Sequence, residues 1–249
     1  MEKEYVRSLF DAIAYRYDLL NHLLSGGVDL LWRRAAIDTL TAQQPKHILD
    51  VATGTADLAI ASLRLHPELV VGVDISDAML EVGRKKLVQK KLTDTITLEN
   101  GEAEKLRFAD DEFDAAMVAF GARNFEHLSQ GLSEMRRVLR PCGRIVVLEF
   151  SKPTLFPFKQ LYFLYFRFVL PLVGSLISKH SEAYQYLPDT VMQFPDGEKF
   201  LDVLRSCGFA SVARTPLTFG IATIYTGTKE LMPSTARPSS PSQQRKAKQ

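Results

Sequence analysis

Two aspartates suggest the first chemistry of this chain. Asp50 lies inside a short apolar run, His47-Ile48-Leu49-Asp50-Val51, and Asp74 closes a second one over 69–73. Between them come the small residues Ala52-Thr53-Gly54-Thr55-Ala56, after which Asp57-Leu58-Ala59-Ile60-Ala61 starts a helix pattern. The order is therefore strand, tight turn, helix. A turn of small residues lets a ligand approach the backbone, and the helix N-terminus offers unpaired N–H groups. Asp74 follows Gly54 by twenty residues, the place where an acid can accept the hydroxyls of a ribose. The stretch calls for an adenosine-containing ligand.

The charge around the turn narrows the choice. A dinucleotide fingerprint needs three glycines, but the registers here place Ala52, Gly54 and Asp57, or Gly54, Ala56 and Ala59. Asp50 and Asp57 bracket the turn with negative charge that repels a pyrophosphate and attracts an amine or a sulfonium. S-adenosylmethionine meets these demands better than NAD. In the competing reading Asp57 is only a favourable first-turn acid and Asp50 a strand residue; the spacing to Asp74 favours the ligand.

The chain of 249 residues, 46% of them hydrophobic, can bury the core of one α/β domain with additions. Cys142 and Cys207 stand far apart with no metal-ligand spacing, as reduced thiols do, and Met1-Glu2-Lys3-Glu4 leads into an amphipathic pattern rather than a signal segment. A cytoplasmic protein is expected. Of the formal net charge of +2, the segment from Lys229 onward, with five basic residues and one acid, holds +4 and leaves −2 for residues 1–228. That argues against a basic face tracking nucleic acid. His22, His66 and His127 form no cluster with acids or cysteines, so no metal site is expected.

The elements that must position these residues alternate. Helical spacing covers 4–24 and 28–40 as a cap over 1–45, with a polar interruption at Tyr17, Asp18 and Asn21 and then Ser25-Gly26-Gly27. Strand patterns at 47–52, 69–74, 94–99, 113–119 and 143–150 alternate with helix patterns at 57–65, 77–91 and 128–140. A helix over 196–207, stopped by Gly208, and an antiparallel pair at 210–214 and 221–226 close the sheet. The fold class is α/β, Rossmann-like, with a mostly parallel seven-stranded sheet whose ligand crevice lies at the carboxyl ends of the strands. Residues 46–151 form the cofactor-binding core, 152–195 an apolar insertion, 196–228 the closure, and 229–249 a basic tail too polar to order itself. The insertion is apolar nearly all round. Lys159, Arg167 and Pro171 interrupt it too often for a membrane span. It packs as a lid, or it offers an aromatic surface over 155–178 to a lipid-like substrate or a bilayer, and the excess of apolar residues favours the second.

Several blocks together carry a resemblance. They are Tyr17-Asp18-x-x-Asn21-x-x-x-Ser25-x-Gly27 ending in Trp32-Arg33, the stretch 49–57, Phe120-Gly121-x-Arg123-Asn124, and Arg137-Val138-Leu139-Arg140-Pro141-x-Gly143 leading to Leu148-Glu149-Phe150-Ser151-Lys152-Pro153. In this order, over residues 5–228, the chain resembles the quinone C-methyltransferase family, which methylates demethylmenaquinone or the corresponding ubiquinone precursor. The resemblance implies a class I methyltransferase using S-adenosylmethionine, with demethylmenaquinol and its isoprenoid tail as partner. It also implies that Thr55 and Asp74 contact the cofactor beside Gly54 and Asp50, and that Glu102 and Ala103 flank the adenine. The family usually has Asp or Asn at position 102, Gly at 53, 56 and 142, and His at 29; some relatives have Ser at 119. Methyl groups at Thr53 and Ala56 are expected to narrow the room for the cofactor's amino-acid end.

Methylating a quinol carbon requires the acceptor to be held in line with the methyl group and a neighbouring hydroxyl to lose its proton. Arg123, following the fourth strand, is the expected stabiliser of that phenolate. Tyr17 and Asn21 are expected to orient the quinol, and His180 and Tyr184 are weaker candidates. Each has a structural alternative: Arg123 pairs with Asp50 or Glu149, Tyr17 is core, and His180 is a solvated helix end. A methyltransferase for another phenol or lipid, or a non-catalytic module at a membrane, would share most of these features. A nucleic-acid adenine methyltransferase would need Asn-Pro-Pro-aromatic where Gly121-Ala122-Arg123-Asn124 stands. A homo-oligomer is allowed for, with no residue assigned to its interface.

Overall fold

The computed structural model describes residues 3–164, 168 and 182–231. Among them seven strands form one sheet: β1 (His47–Val51), β2 (Leu69–Asp74), β3 (Ile96–Asn100), β4 (Phe113–Ala119), β5 (Leu139–Phe150), β6 (Phe209–Leu217) and β7 (Ala222–Lys229). Their order is β3-β2-β1-β4-β5-β7-β6. Only the pairs made by β7 are antiparallel. The chain steps outward from β1 to β3, then returns to add β4 on the other side of β1. A crevice therefore opens above the carboxyl ends of β1 and β4, where the winding reverses.

Helices cover both faces, as the doubly apolar strands require. One face of the sheet, with Ile48, Val70, Met117 and Val146, packs on α3 (Val28–Asp38), α4 (Asp57–Ser62) and α5 (Asp77–Lys90). The other, with Leu49, Val71, Val118 and Val147, packs on α6 (Leu128–Val138) and α9 (Glu198–Ser206). The α5 helix starts where Ser76 caps it, its hydroxyl accepting from the Met79 N–H at 3.1 Å. Beyond the sheet, α7 (Phe158–Leu164) and α8 (Glu182–Gln193) are the described parts of the insertion.

Three boundaries differ from the sequence pattern, each for a local reason. The helical spacing over 4–24 is broken by a 3₁₀ turn at Ala14–Arg16, which separates α1 (Lys3–Ile13) from α2 (Tyr17–Ser25); such a turn rewinds the chain so little that the apolar spacing survives it. The helix expected to reach 140 stops at Val138 and Leu139 enters β5, because Pro141 excludes helical geometry at the residue before it. Lys229, assigned above to the tail, is the last residue of β7. It is nearly buried, and its ammonium donates to Asp111 Oδ1 at 2.7 Å and to the carbonyls of Arg137 and Leu139 at 3.0 and 2.7 Å. This lysine stitches β7 to the α6–β5 junction.

Replacing it with an apolar side chain leaves two buried carbonyls without their donor. Lys229→Met is expected to lower stability by about 2–4 kcal/mol. Urea unfolding checks this through a lower midpoint at unchanged slope.

Candidate active site

The turn after β1 is built around the carboxylate that closes β2. Asp74 accepts the Gly54 N–H at 2.8 Å and the Ser76 N–H at 2.9 Å, joining the end of β2 to the turn beside it. Gly54 sits at φ +56, where a side chain is strained. Gly121, after β4, meets the turn so closely that a Cβ there would stand 2.5 Å from Ala52 Cβ. These two glycines let β1 and β4 present bare backbone to a common space. Asp74 is deeply buried, which pushes its carboxyl up to about 6 against the pull of those N–H groups.

That space is a cavity of about 680 Å³, its open mouth included. Of the residues expected to hold the cofactor, Gly54, Asp74 and Ala103 line it. Val73, Ile75, Met79 and Phe125 give it apolar walls suited to an adenine. Ala119, where some relatives have serine, also lines it.

Three expected contacts lie elsewhere. The Asp50 side chain points to the α3 face beneath the turn, where its Oδ2 accepts the Thr53 hydroxyl at 2.6 Å and its Oδ1 has no protein partner. Burial pushes its carboxyl up to about 7, so it is not the full negative charge that the sequence suggested. The Thr55 hydroxyl turns to α2, donating to Asp18 Oδ1 at 2.5 Å and accepting from Lys86 Nζ at 3.3 Å. Glu102 faces solvent, paired with Lys3 at 2.8 Å. A bridge between Glu102 and Lys105 reverses the chain there, and Glu104 rather than Glu102 reaches the cavity.

The negative charge survives on different residues. Asp57 is neutralised by Lys86 at 2.6 Å and does not line the cavity. Asp74, Glu104 and Glu126 line it together with Lys3, an excess of acid that favours a cationic ligand. Lys3, Val6 and Phe10 bring α1 across the opening, which no motif announced. The methyl groups at Thr53 and Ala56 do not narrow the space: neither residue lines it. Ala56 is buried in the α3 face at φ +69, so the family's glycine at this position relieves backbone strain instead.

At the inner end stands Tyr17. Its ring lies over the Gly54 turn, edge-on to Phe10 with centroids 5.9 Å apart, and Asn21 one turn later hydrogen-bonds its hydroxyl. Burial raises the Tyr17 phenol despite the nearby Arg123 and Arg33 guanidinium groups. Tyr17 lines the cavity; Asn21 does not. Arg123 is behind the wall. Its Nη1 donates to Glu149 Oε1 at 2.8 Å and to the Phe120 carbonyl, and its guanidinium lies 5.4 Å from the Phe150 ring centre. The structural alternative for Arg123, pairing with Glu149, is thus realised, yet its Nε has no partner. The cap is locked above by Lys86, which bridges Asp18 of α2 at 2.7 Å and Asp57 of α4 at 2.6 Å. His180 lies outside the described residues, as does the side chain of Tyr184.

The sequence matches the ubiE/COQ5 methyltransferase family over residues 1–229. The chain belongs to that family. A demethylmenaquinone methyltransferase of Bacteroides fragilis is 48% identical over 229 residues, 92% of this chain and 94% of that one. The ubiquinone/menaquinone biosynthesis C-methyltransferase UbiE of Geobacter sulfurreducens is 49% identical over 230 residues, 92% and 90% of the two chains. Two solved structures share the fold. They are a SAM-dependent methyltransferase of Thermotoga maritima, a possible histamine N-methyltransferase (TM-score 0.64, 18% identity, covering 90% of this chain and 99% of that one), and the [4+2]-cyclase SpnF (0.65, 16%, covering 91% and 96%).

In this member of the ubiE/COQ5 family the residues present fit S-adenosylmethionine: backbone bared at Gly54 and Gly121, a buried carboxylate for a ribose, apolar walls and net negative charge. The histidine usual at position 29 is replaced by a buried aspartate. Asp29 accepts from Ser25 at 2.6 Å and lies 3.0 Å from His22 Nδ1.

Only ionised Asp74 can accept two ribose hydroxyls, so cofactor affinity is expected to fall as pH drops through about 6. The free protein responds oppositely: between the usual 3.8 and about 6 the folded carboxyl holds a proton that the unfolded chain has released, and this contribution to stability is lost as pH rises through about 6. Asp74→Ala is expected to weaken cofactor binding by roughly 10- to 150-fold, the worth of one charged hydrogen bond or more. Calorimetric titration with S-adenosylmethionine from pH 5 to 8 measures both.

Proposed function

We propose that this protein transfers the methyl group of S-adenosylmethionine to a ring carbon of demethylmenaquinol, giving menaquinol. One observation carries the reading. Tyr17, Gly54, Asp74 and Asn124, from motif blocks far apart in the sequence, line a single cavity in a chain whose 48%-identical relative is named for this reaction. Methylation of the benzoquinol precursor of ubiquinone is the second reading, favoured by the name of the 49%-identical relative.

When bound, S-adenosylmethionine supplies an electrophilic methyl: its carbon–sulfur bond breaks as the ring's electron pair forms the new carbon–carbon bond, a neutral thioether remains, and the displaced ring hydrogen leaves as a proton to water. The chain has to hold and activate the acceptor. Asp74 takes the ribose hydroxyls, while Ala103 and Phe125 take the adenine. Tyr17, its hydroxyl held by a hydrogen bond with Asn21, faces the acceptor space. Arg123 keeps a positive charge behind Phe120 and so favours the phenolate form of the quinol without touching it. The cap, held by Lys86, excludes water from the sulfonium.

The quinol's isoprenoid tail must remain in an apolar medium. The start of the insertion exposes Leu155, Phe156, Leu161 and Leu164, with Phe158 stacked on the exposed Phe219 at 3.7 Å between ring centres. We assign this edge to peripheral contact with a bilayer, by which the ring enters while the tail stays behind. No helix among the described residues is long and apolar enough to cross a membrane.

Labelled methyl transfer to reduced demethylmenaquinol and to the demethylated benzoquinol, side by side, tests the reading. Label in the naphthoquinol is expected; label only in the benzoquinol selects the second reading, and label in neither with cofactor binding intact refutes both. Arg123→Gln, which removes the charge but keeps a donor for Glu149, is expected to lower kcat about tenfold or more while cofactor affinity stays nearly level, and Arg123→Lys, which keeps the charge, to retain most of the rate. Equal loss of both would remove Arg123 from its role.

A further inference from the structure

Asn124 ends the 3₁₀ turn Ala122–Asn124 after β4 and lines the cavity beside Phe120 and Gly121. Its partner comes from the far side of the insertion. The Tyr186 hydroxyl on α8 donates to Asn124 Oδ1 at 2.8 Å. Tyr186 is held firmly: it is 8% exposed and packs with Val6 and Leu9 of α1, Phe10 and Ile75. Its burial pushes the phenol up to about 12, so the hydroxyl keeps its proton near neutral pH.

A carboxamide has one accepting end and one donating end. With Oδ1 taken by Tyr186, the donating Nδ2 is the end left for a ligand. Among the described residues it donates to none, and Asn124 lines the cavity. Tyr17, whose hydroxyl is hydrogen-bonded with Asn21, lines the same cavity. Arg123, the neighbour of Asn124 in sequence, turns instead to Glu149. Asn124 is therefore the member of the Arg123-Asn124 pair that reaches the acceptor space.

We propose that Asn124 is a catalytic residue, its Nδ2 donating to the quinol oxygen that loses its proton, and that Tyr186 is a positioning residue that fixes the amide with this end toward the acceptor. The assignment rests on the quinol-methyltransferase reading above. In the step it serves, the hydroxyl beside the acceptor carbon releases its proton to water. The resulting oxyanion is held by Asn124 while its charge flows into the ring and the carbon–carbon bond forms. A donor aimed at charge that develops during reaction acts on turnover rather than on binding of the cofactor.

Asn124→Asp is the cleanest test, because it keeps the shape and the acceptor for Tyr186 and replaces only the donor by a negative oxygen. Wild type, Asn124→Asp, Asn124→Ala and Tyr186→Phe are compared for kcat, quinol KM, the pH profile of kcat and cofactor affinity by calorimetry. Both Asn124 variants are expected to lose roughly 100-fold or more in kcat, as for loss of an oxyanion donor, with cofactor affinity within about threefold. The rising limb of the pH profile is expected to move to higher pH for Asn124→Ala, since the bound quinol loses a group that favours its ionised form. Tyr186→Phe is expected to show a smaller loss with the same direction of pH shift. Wild-type transfer with Asn124→Asp near wild-type kcat, or a loss confined to quinol KM with an unmoved pH profile, overturns the assignment alone. A wild type that binds cofactor but methylates neither quinol overturns the reading beneath it as well.

Discussion

The crevice depends on one carboxylate. Asp74 ends β2, and its carboxylate accepts backbone N–H groups from Gly54 in the turn after β1 and from Ser76 at the start of α5. Three segments that would otherwise diverge from the sheet are thereby held at one point. The cost is a negative charge in a low-dielectric place, visible in its raised pKa. A ligand that brings hydroxyl donors and a positive sulfonium offsets that cost, so the free protein is strained electrostatically in the direction that binding relieves. Gly54 at φ +56 belongs to the same device: its N–H meets the carboxylate from a left-handed conformation that favours glycine.

A second layer of buried charge lies behind the cavity and is only partly satisfied. Arg33 is 6% exposed, with its Nε unpartnered, Asp29 3.5 Å away and the Phe120 ring beneath it at 5.4 Å. Arg123 repeats the pattern with Glu149 and Phe150, and the two phenylalanine rings pack together at 4.6 Å. Two cations thus flank one aromatic pair at the wall of the acceptor space. Each buried pair is weak evidence for stability, since desolvation consumes most of the attraction. Their field, in a place water cannot screen, favours an anion at the cavity's inner end. The acids that line the cavity suit a cationic methyl donor, while the two guanidinium groups stand behind its Phe120 wall, each beside a carboxylate of its own.

How much of this the sequence disclosed depended on the range of the interaction. The seven strands and most helix ends were legible because apolar periodicity is local, and Gly54 with Asp74 because a fixed β-α-β spacing brings them together. Glu102, expected beside the adenine, faces solvent and pairs with Lys3 while Glu104 lines the cavity, an arrangement that goes with the bridge to Lys105 and that no periodicity records. Thr55 and Asp57 were credited to the ligand, whereas Lys86, on a helix 29 residues beyond Asp57, claims both. Lys3, Val6 and Phe10 gave no signal at all, since an amphipathic helix looks the same whether its apolar face meets a core or closes a cavity. Arg123 was expected to face the quinol, yet it pairs with Glu149 while its neighbour Asn124 lines the cavity, because sequence order says nothing about which of two neighbours turns inward.

The sheet itself does not decide the chemistry. A possible histamine N-methyltransferase and a [4+2]-cyclase carry the same fold with TM-scores of 0.64 and 0.65. What distinguishes this chain is everything laid over the carboxyl ends of the strands: α1 and α2 with Tyr17, the 3₁₀ turn with Asn124, and α8 with Tyr186. These come from three distant parts of the sequence, and α1 and Tyr186 share a small apolar cluster apart from the two large cores. A unit held by few apolar contacts and a handful of polar latches is cheap to open and reclose. The same economy that lets cofactor and quinol reach a covered site leaves the positioning of the acceptor to single hydrogen bonds; among the described residues, Tyr186 to Asn124 is one that crosses from the insertion to the turn after β4.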